Sequence, residues 1–319
     1  MKSQITILFI LVLLNSCVNL NDKKEVKSKK YVLAYNVAMN EEQTDYDVWT
    51  IDPETGKKTN ITNNSDVAWS YNTYNDKIYF TSDRDTCKRC IYLYEMDKDG
   101  KNIRKVTDFQ LSDSWISFRK SGSEIIVSPS RKIDSSFYII DSNGKILQKI
   151  STGLKYSNDP CFSPDGKRIV FRGGKQKSKR VEGFDEALYV MDDDGKNLKR
   201  ITNYPANDTT APWYAYKAGP PRWHPTDNFI SFPSFQNGQY KLYAVTPDGK
   251  KQWKLINEGD GSEAYHSWSP DGKFLAFETT DNKETQYDIA IMDWKTKKVE
   301  ILTDSTYAYE QAPNFVLSN

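Results

Sequence analysis

From residue 31 onward the chain is written in short runs of alternating apolar and polar residues, and no stretch carries a helical period. Six of these runs end in one pattern, a β-rich segment closing on an acid or a threonine. The copies are Trp49-Thr50-Ile51-Asp52, Tyr94-Glu95-Met96-Asp97, Tyr138-Ile139-Ile140-Asp141, Tyr189-Val190-Met191-Asp192, Tyr243-Ala244-Val245-Thr246 and Ala290-Ile291-Met292-Asp293. Turn residues such as Lys98-Asp99-Gly100 follow, where Asp offers a side-chain acceptor and Gly a positive φ. A short strand then ends at Ile61-Thr62, Val106-Thr107, Ile150-Ser151, Ile201-Thr202, Leu255-Ile256 and Leu302-Thr303.

A second pattern precedes each of these from the second repeat on. It is clearest in Phe162-Ser163-Pro164-Asp165-Gly166-Lys167 and Trp268-Ser269-Pro270-Asp271-Gly272-Lys273, each followed by an alternating strand. Proline presets φ for the first turn position and glycine takes the left-handed one. Looser copies are Trp223-His224-Pro225-Thr226-Asp227, Phe118-Arg119-Lys120-Ser121-Gly122 and Tyr71-Asn72-Thr73-Tyr74-Asn75. Each unit therefore holds four strands, A to D, in a meander. Such units repeating every 44 to 54 residues predict an all-β, six-bladed β-propeller of four-stranded antiparallel blades. Tyr31 to Asn36 reads as a strand B without its A, and Ala312 to Val316 as an A without its B. The N- and C-terminal strands are expected to share one blade, which removes the exposed edges.

The segment Phe80-Thr81-Ser82-Asp83-Arg84-Asp85, followed by Ile91-Tyr92-Leu93-Tyr94-Glu95-Met96-Asp97-Lys98-Asp99-Gly100, resembles the TolB-type, WD-like propeller repeat. The resemblance covers residues 31–319 and implies a fold rather than a function. TolB carries an α/β domain ahead of its propeller, whereas here a tether runs into the first strand, so a Tol–Pal role is not implied. Related repeats occur in dipeptidyl-peptidase propellers, but the chain has no G-x-S-x-G.

The first residues read as targeting. Lys2 is a short positive region, Ile5 to Leu14 is apolar apart from Thr6, and Leu14-Asn15-Ser16-Cys17 looks like a lipobox. Residues 1–16 are then a signal peptide, Cys17 a lipidated residue, and 17–30 a flexible tether. The expected location is the outer membrane, held by lipid, on the periplasmic or cell-surface side. Export places Cys87 and Cys90 where a local disulfide forms. Two free thiols are the other reading, while zinc would need four ligands. Cys161 reads as a small buried hydrophobe. With 44 basic against 43 acidic residues the chain has no field suited to nucleic acid, and the closed ring is expected to act as a monomer. Aromatics at 13% suit pleated strands.

Propeller topology puts the A–B and C–D turns on one face, where tight turns leave little room. The B–C and D–A loops, on the other face, are the expected seat of function. The loop 203–219 carries Trp213, Tyr214 and Tyr216, and the loop 172–186 is rich in Lys and Arg. These rings either meet sugar rings or peptide side chains, or cap the blade core. Aligned on the aromatic of each strand A, the position five residues earlier is Asp66, Asp113, Ser157, Ala218, Glu263 and Glu310, with Asp159 nearby. Four carboxylates there are either solvated acids beside a channel or a ring that takes Ca²⁺, an amine or a basic peptide tail. His224 reads as a turn residue, and His266 lies near the acidic mouth. Its surroundings resemble the region around a metal-ligand His in oligogalacturonate lyases, which need several His ligands, and the chain has only two. The expected function is a binding or scaffolding lipoprotein for a glycan or an envelope protein. The alternative is a carbohydrate-active lyase or hydrolase with its carboxylates at the propeller axis.

Overall fold

The structure is a computed structural model that describes residues 30–175, 186–203, 212–256, 261–281 and 283–318. Cys17, the apolar leader and the tether lie outside the described residues. Within them the strands form six four-stranded antiparallel sheets. Blade one is Glu310–Leu317, Tyr31–Ala38, Tyr46–Ile51 and Lys58–Asn60, from strand A to strand D. Blade two is Ala68–Tyr74, Lys77–Ser82, Tyr92–Asp97 and Arg104–Lys105; blade three is Ser117–Arg119, Glu124–Val127, Phe137–Asp141 and Ile146–Ile150. Blade four is Tyr156–Phe162, Arg168–Gly174, Ala187–Asp192 and Lys199–Arg200. Blade five is Arg222–Trp223, Ile230–Gln236, Gln239–Val245 and Gln252–Lys254; blade six is Glu263–Trp268, Phe274–Thr280, Tyr287–Asp293 and Val299–Ile301. Blade one is the shared blade, with Leu33 opposite Phe315 and Tyr31 opposite Leu317.

The recurrent turn residues have identifiable work. Ser163 Oγ accepts the Arg168 N–H at 2.9 Å and donates to Asp165 at 2.6 Å, which folds the Pro-Asp-Gly turn back on itself. Ser269 and Asp271 repeat this in blade six. In blade five His224 stands in the serine's place and closes the turn by a different bond, its ring nitrogen Nδ1 accepting the Asp227 N–H at 2.8 Å, so His224 is a turn residue.

The threonine that ends strand D also has a role. Thr62, Thr107, Thr202 and Thr303 each accept, at 2.9–3.1 Å, the N–H of the strand C residue fourteen positions earlier. That N–H would otherwise lie past the end of the short strand D, buried and unpaired. Gly100 and Gly144 sit at positive φ where a Cβ would overlap the Ile61 and Val106 carbonyl oxygens of the preceding blade. The hairpin glycine is thus also an inter-blade joint.

Facing sheets supply the core. Phe137 of blade three and Phe171 of blade four meet edge-on at 5.3 Å within one buried cluster. Each such side chain contributes about 1.5–3 kcal/mol when fully buried. Cys87 and Cys90 are joined by a disulfide in the B–C connection of blade two, with their Cα atoms 5.2 Å apart, and Cys161 is a buried free thiol.

Candidate functional site

The loop-face mouth is divided in two by aromatic rings. Tyr265 packs against Trp115 at 4.7 Å and edge-on against Trp69 at 6.4 Å. On one side lies a cleft of about 400 Å³ over blades four to six; on the other a cavity of about 510 Å³ over blades one to three. Tyr265 and Gln311 line both.

The wall of the first cleft is built from strand B and from the chain leading into strand A. Arg172, Pro233 and Glu278 hold equivalent strand B positions in blades four, five and six, each two residues beyond the one facing strand A's central bulge region or its counterpart. Arg172 bonds Asp159 through Nε and Glu186 through Nη1 at 2.8 Å, and Tyr156 donates to the same Glu186 oxygen at 3.2 Å. Burial alone would weaken the Arg172 charge, but Asp159, Tyr156 and Glu186 outweigh it and hold its pKa above the ordinary value. Trp213 and Tyr214 line the cleft, with the Lys217 ammonium 4.7 Å over the Trp213 ring. Tyr214 is braced edge-on by Phe235 at 4.9 Å and stacks with Tyr240 at 6.4 Å. Rings fixed in this way present flat faces beside fixed charges.

Glu278 is the unusual group. It is buried, one of its oxygens has no hydrogen-bond partner, and burial pushes its carboxyl up to about 8 against the Ala312 N–H and the Gln311 side chain. It stands protonated at neutral pH on the cleft wall.

The six positions aligned on the strand A aromatic do not form a ring at the mouth. Five of them face the preceding blade, and Asp113 also lines the second loop-face cavity. Ser157 bonds Thr152 at 2.6 Å at the end of blade three. In blade five, strand D ends on Ile256 instead of threonine, and Glu263 Oε2 takes the orphaned Leu242 N–H at 3.0 Å while Oε1 pairs with Lys241 at 3.1 Å. Glu263 is therefore the substitute for a missing threonine. Glu310 occupies the same place one blade on, but Thr303 already serves Ile289 there. Neither Glu310 oxygen has a partner of normal geometry, and burial pushes its carboxyl up to about 7.

Asp113 is exposed and accepts a hydrogen bond from Tyr71. Asp66 falls out of register. Blade two closes its A–B hairpin with Tyr74 opposite Lys77, so Thr73 rather than Tyr71 faces Ile78, the place Phe162 holds opposite Ile169. Asp66 is thus two residues farther from the strand than the alignment implied. Among the described residues no three of His, Cys, Asp and Glu could share a metal ion.

Asp159, 1% exposed, sits three residues before its aromatic and is committed to Arg172 and to the Trp115 N–H at 2.9 Å. His266 is enclosed: Nε2 lies 2.7 Å from Ser231 Oγ and the ring also bonds the Ala264 backbone. Burial and the neighbouring Arg222 push it down to about 3, so it is neutral at physiological pH. Tyr216 does not line the cleft, and part of each long loop, 176–185 and 204–211, lies outside the described residues. Tyr265, Glu278 and Gln311 were missed. The available signal was the residue three before the aromatic, where Trp115, Asp159 and Tyr265 align.

The tight-turn face departs from expectation. It opens into a funnel of about 510 Å³ lined by strand A of all six blades. The turns are short, but they stand around the axis rather than over it.

Residues 178–317 match the family model of the TolB beta propeller domain. TolB from Acinetobacter baumannii superposes on 89% of this chain with a TM-score of 0.66 at 16% identity, and the chain spans 66% of that protein. A putative TolB from Agrobacterium tumefaciens matches 86% of this chain and 89% of its own length, with a TM-score of 0.61 and 18% identity. An oligogalacturonate lyase in complex with manganese matches 86% of this chain and 74% of its own, with a TM-score of 0.50 and 12% identity. The chain is a six-bladed β-propeller, and its second half matches the TolB beta propeller domain. These likenesses are of fold.

The protonated acid yields a pH prediction. In the unfolded chain Glu278 ionises near 4.5, while in the fold it holds its proton to about 8. Its contribution to stability is full below the lower value and is lost as pH rises toward the upper one. His266 opposes this only below about 6.5, where the unfolded chain gains a proton that the fold refuses. The melting temperature should therefore fall between about pH 6.5 and 8.5, with Glu310 contributing up to about 7, and Glu278→Gln should flatten the fall. Parallel melting curves for wild type and variant would contradict the assignment.

Proposed function

We propose that the protein is a lipid-anchored binding propeller of the cell envelope that captures a glycan in the loop-face cleft. One observation carries this: a cleft of about 400 Å³ combining the braced rings of Trp213 and Tyr214 with Arg172, Glu186 and Lys217. The size falls in the range of small-ligand sites, and a pyranose presents an apolar face to a ring and hydroxyls to flanking charges. Binding rather than turnover is favoured because Arg172 already engages Asp159 and Glu186, which leaves both carboxylates occupied. The lipobox-like Leu14 to Cys17 supports the anchor. The TolB-type fold supports an envelope setting, in which the glycan would belong to the surface or to a partner protein.

A second reading rests on Glu278. A carboxylic acid protonated at neutral pH is a general acid in waiting, so the cleft would cleave its glycan rather than hold it. New reducing or unsaturated ends from an oligosaccharide, lost in Glu278→Gln, would establish that reading.

Two measurements test the proposal. A glycan array probed with the full-length protein in detergent should give a narrow set of hits, and Trp213→Ala should weaken them at least tenfold, or about 1.4 kcal/mol. An array without hits, or hits indifferent to Trp213, would refute glycan capture. Cys17→Ser should move the protein from the membrane to the aqueous fraction, since acyl chains and not the short apolar run are assigned the holding role. Membrane retention of the variant would contradict that.

A further inference from the structure

The funnel on the tight-turn face contains a charge that the fold does not explain. Arg222, the first residue of strand A in blade five, lines the funnel and is only 7% exposed. Its Nε reaches the His266 carbonyl at 3.3 Å and its Nη2 the Tyr71 carbonyl at 3.4 Å, both long for a guanidinium. The plane also lies 5.4 Å from the Trp115 ring. Nη1 is buried with no hydrogen-bond partner. Among the described residues no carboxylate forms an ion pair with Arg222. His266, its immediate neighbour, is neutral, and burial pushes the Arg222 pKa down to about 10 against Asp159 and the Cys161 thiol, a weak hydrogen-bond partner of the guanidinium. An unpaired buried cation is costly to a fold and is removed at little loss unless something outside the chain completes it.

We propose that the tight-turn mouth is a binding site for a carboxylate, held by Arg222 Nη1 and Ser267 Oγ. Ser267 is the second observation. Its hydroxyl is also buried without a partner, and it lines the same funnel. Tyr31, whose hydroxyl is likewise unpartnered, lines it too. Arg222, Ser267 and Tyr31 thus line one funnel from three different blades, and each unsatisfied donor costs desolvation until an acceptor reaches it. Among the described residues Arg222 is the only charged one lining the funnel, so the complement is a monoanion with few oxygens. A phosphate dianion would bring more charge than one guanidinium neutralises. The rest of the wall sets Phe118, Phe162, Trp223, Trp268 and Phe315, from five blades, among small polar residues and prolines. That surface suits a flat or apolar body carrying the carboxylate. The site is on the face opposite the glycan cleft, and neither depends on the other.

The test uses phenylacetate and its neutral isostere phenylacetamide, titrated calorimetrically into the full-length protein in detergent, with tryptophan fluorescence as a local reporter from Trp223 and Trp268. Phenylacetate should bind at least tenfold more tightly than the amide, and inorganic phosphate more weakly than phenylacetate. Arg222→Met should abolish the preference for the acid and melt no lower than wild type, because removing an unpaired buried charge relieves desolvation. If Arg222→Met does not fold, Ser267→Ala decides, with an expected several-fold loss. Trp213→Ala on the opposite face should leave phenylacetate binding unchanged. Equal binding of acid and amide, phosphate binding as tight as phenylacetate, or full affinity in a folded Arg222→Met or in Ser267→Ala would each overturn the site.

Discussion

The pairing of Tyr31–Ala38 with Glu310–Leu317 is the contact on which the molecule depends. Without it the meander of blades would be an open arc with an unpaired edge at each end, and neither mouth would exist. The pairing runs from Tyr31 opposite Leu317 to Val37 opposite Glu310 and is interrupted by a bulge around Ala312. That strand also delivers Gln311 to the wall shared by the two loop-face cavities, and Phe315 and Leu317 to the funnel. Asn36, beside the bulge, ties the closed blade to blade two by accepting the Ser70 N–H at 2.6 Å and donating to its carbonyl at 3.2 Å. Closure is therefore both a stability element and a positioning one.

A closed ring leaves two axial mouths with different chemistry. On the loop face most charges are answered within the chain: Arg172 by Asp159 and Glu186, and Glu263 by Lys241 and the Leu242 N–H. What remains there, among the described residues, is braced aromatic surface and two buried acids with unpartnered oxygens, Glu278 and Glu310. On the tight-turn face the balance is reversed, since a buried guanidinium without a carboxylate partner and unpartnered hydroxyls belong to the lining of the funnel.

Blade number, strand order and closure were readable because they rest on local chemistry that recurs along the chain: the Ser-Pro-Asp-Gly turn and its looser copies, the acid that closes strand C in five blades and the terminal threonine of four. What threonine does was not readable, because its partner lies across a strand pair, and so Glu263 looked like a ligand when it replaces the threonine oxygen. The carboxylate ring failed for a geometric reason. Bulges recur at the equivalent residues Asp159, Tyr265 and Ala312, so the constant offset reaches one structural position in blades four, six and one, but that position faces the preceding blade rather than the axis; blade two, with its two-residue hairpin, falls out of step. Trp213 and Tyr214, singled out as aromatic rings in a long loop, both line the loop-face cleft. Arg222 escaped because it sits beside an ordinary turn motif, and only the fold shows that nothing answers its charge.

The central claim is that blade one is a composite whose N- and C-terminal halves hold the ring shut. Native-state amide hydrogen exchange tests it most directly. If closure governs the fold, the ladder amides between Tyr31–Ala34 and Asn314–Leu317 should exchange only by global unfolding, as slowly as those of Ile169 and Val170 in the interior of blade four. Exchange of the blade-one amides through a separate low-energy opening, with the other five blades still protected, would contradict it.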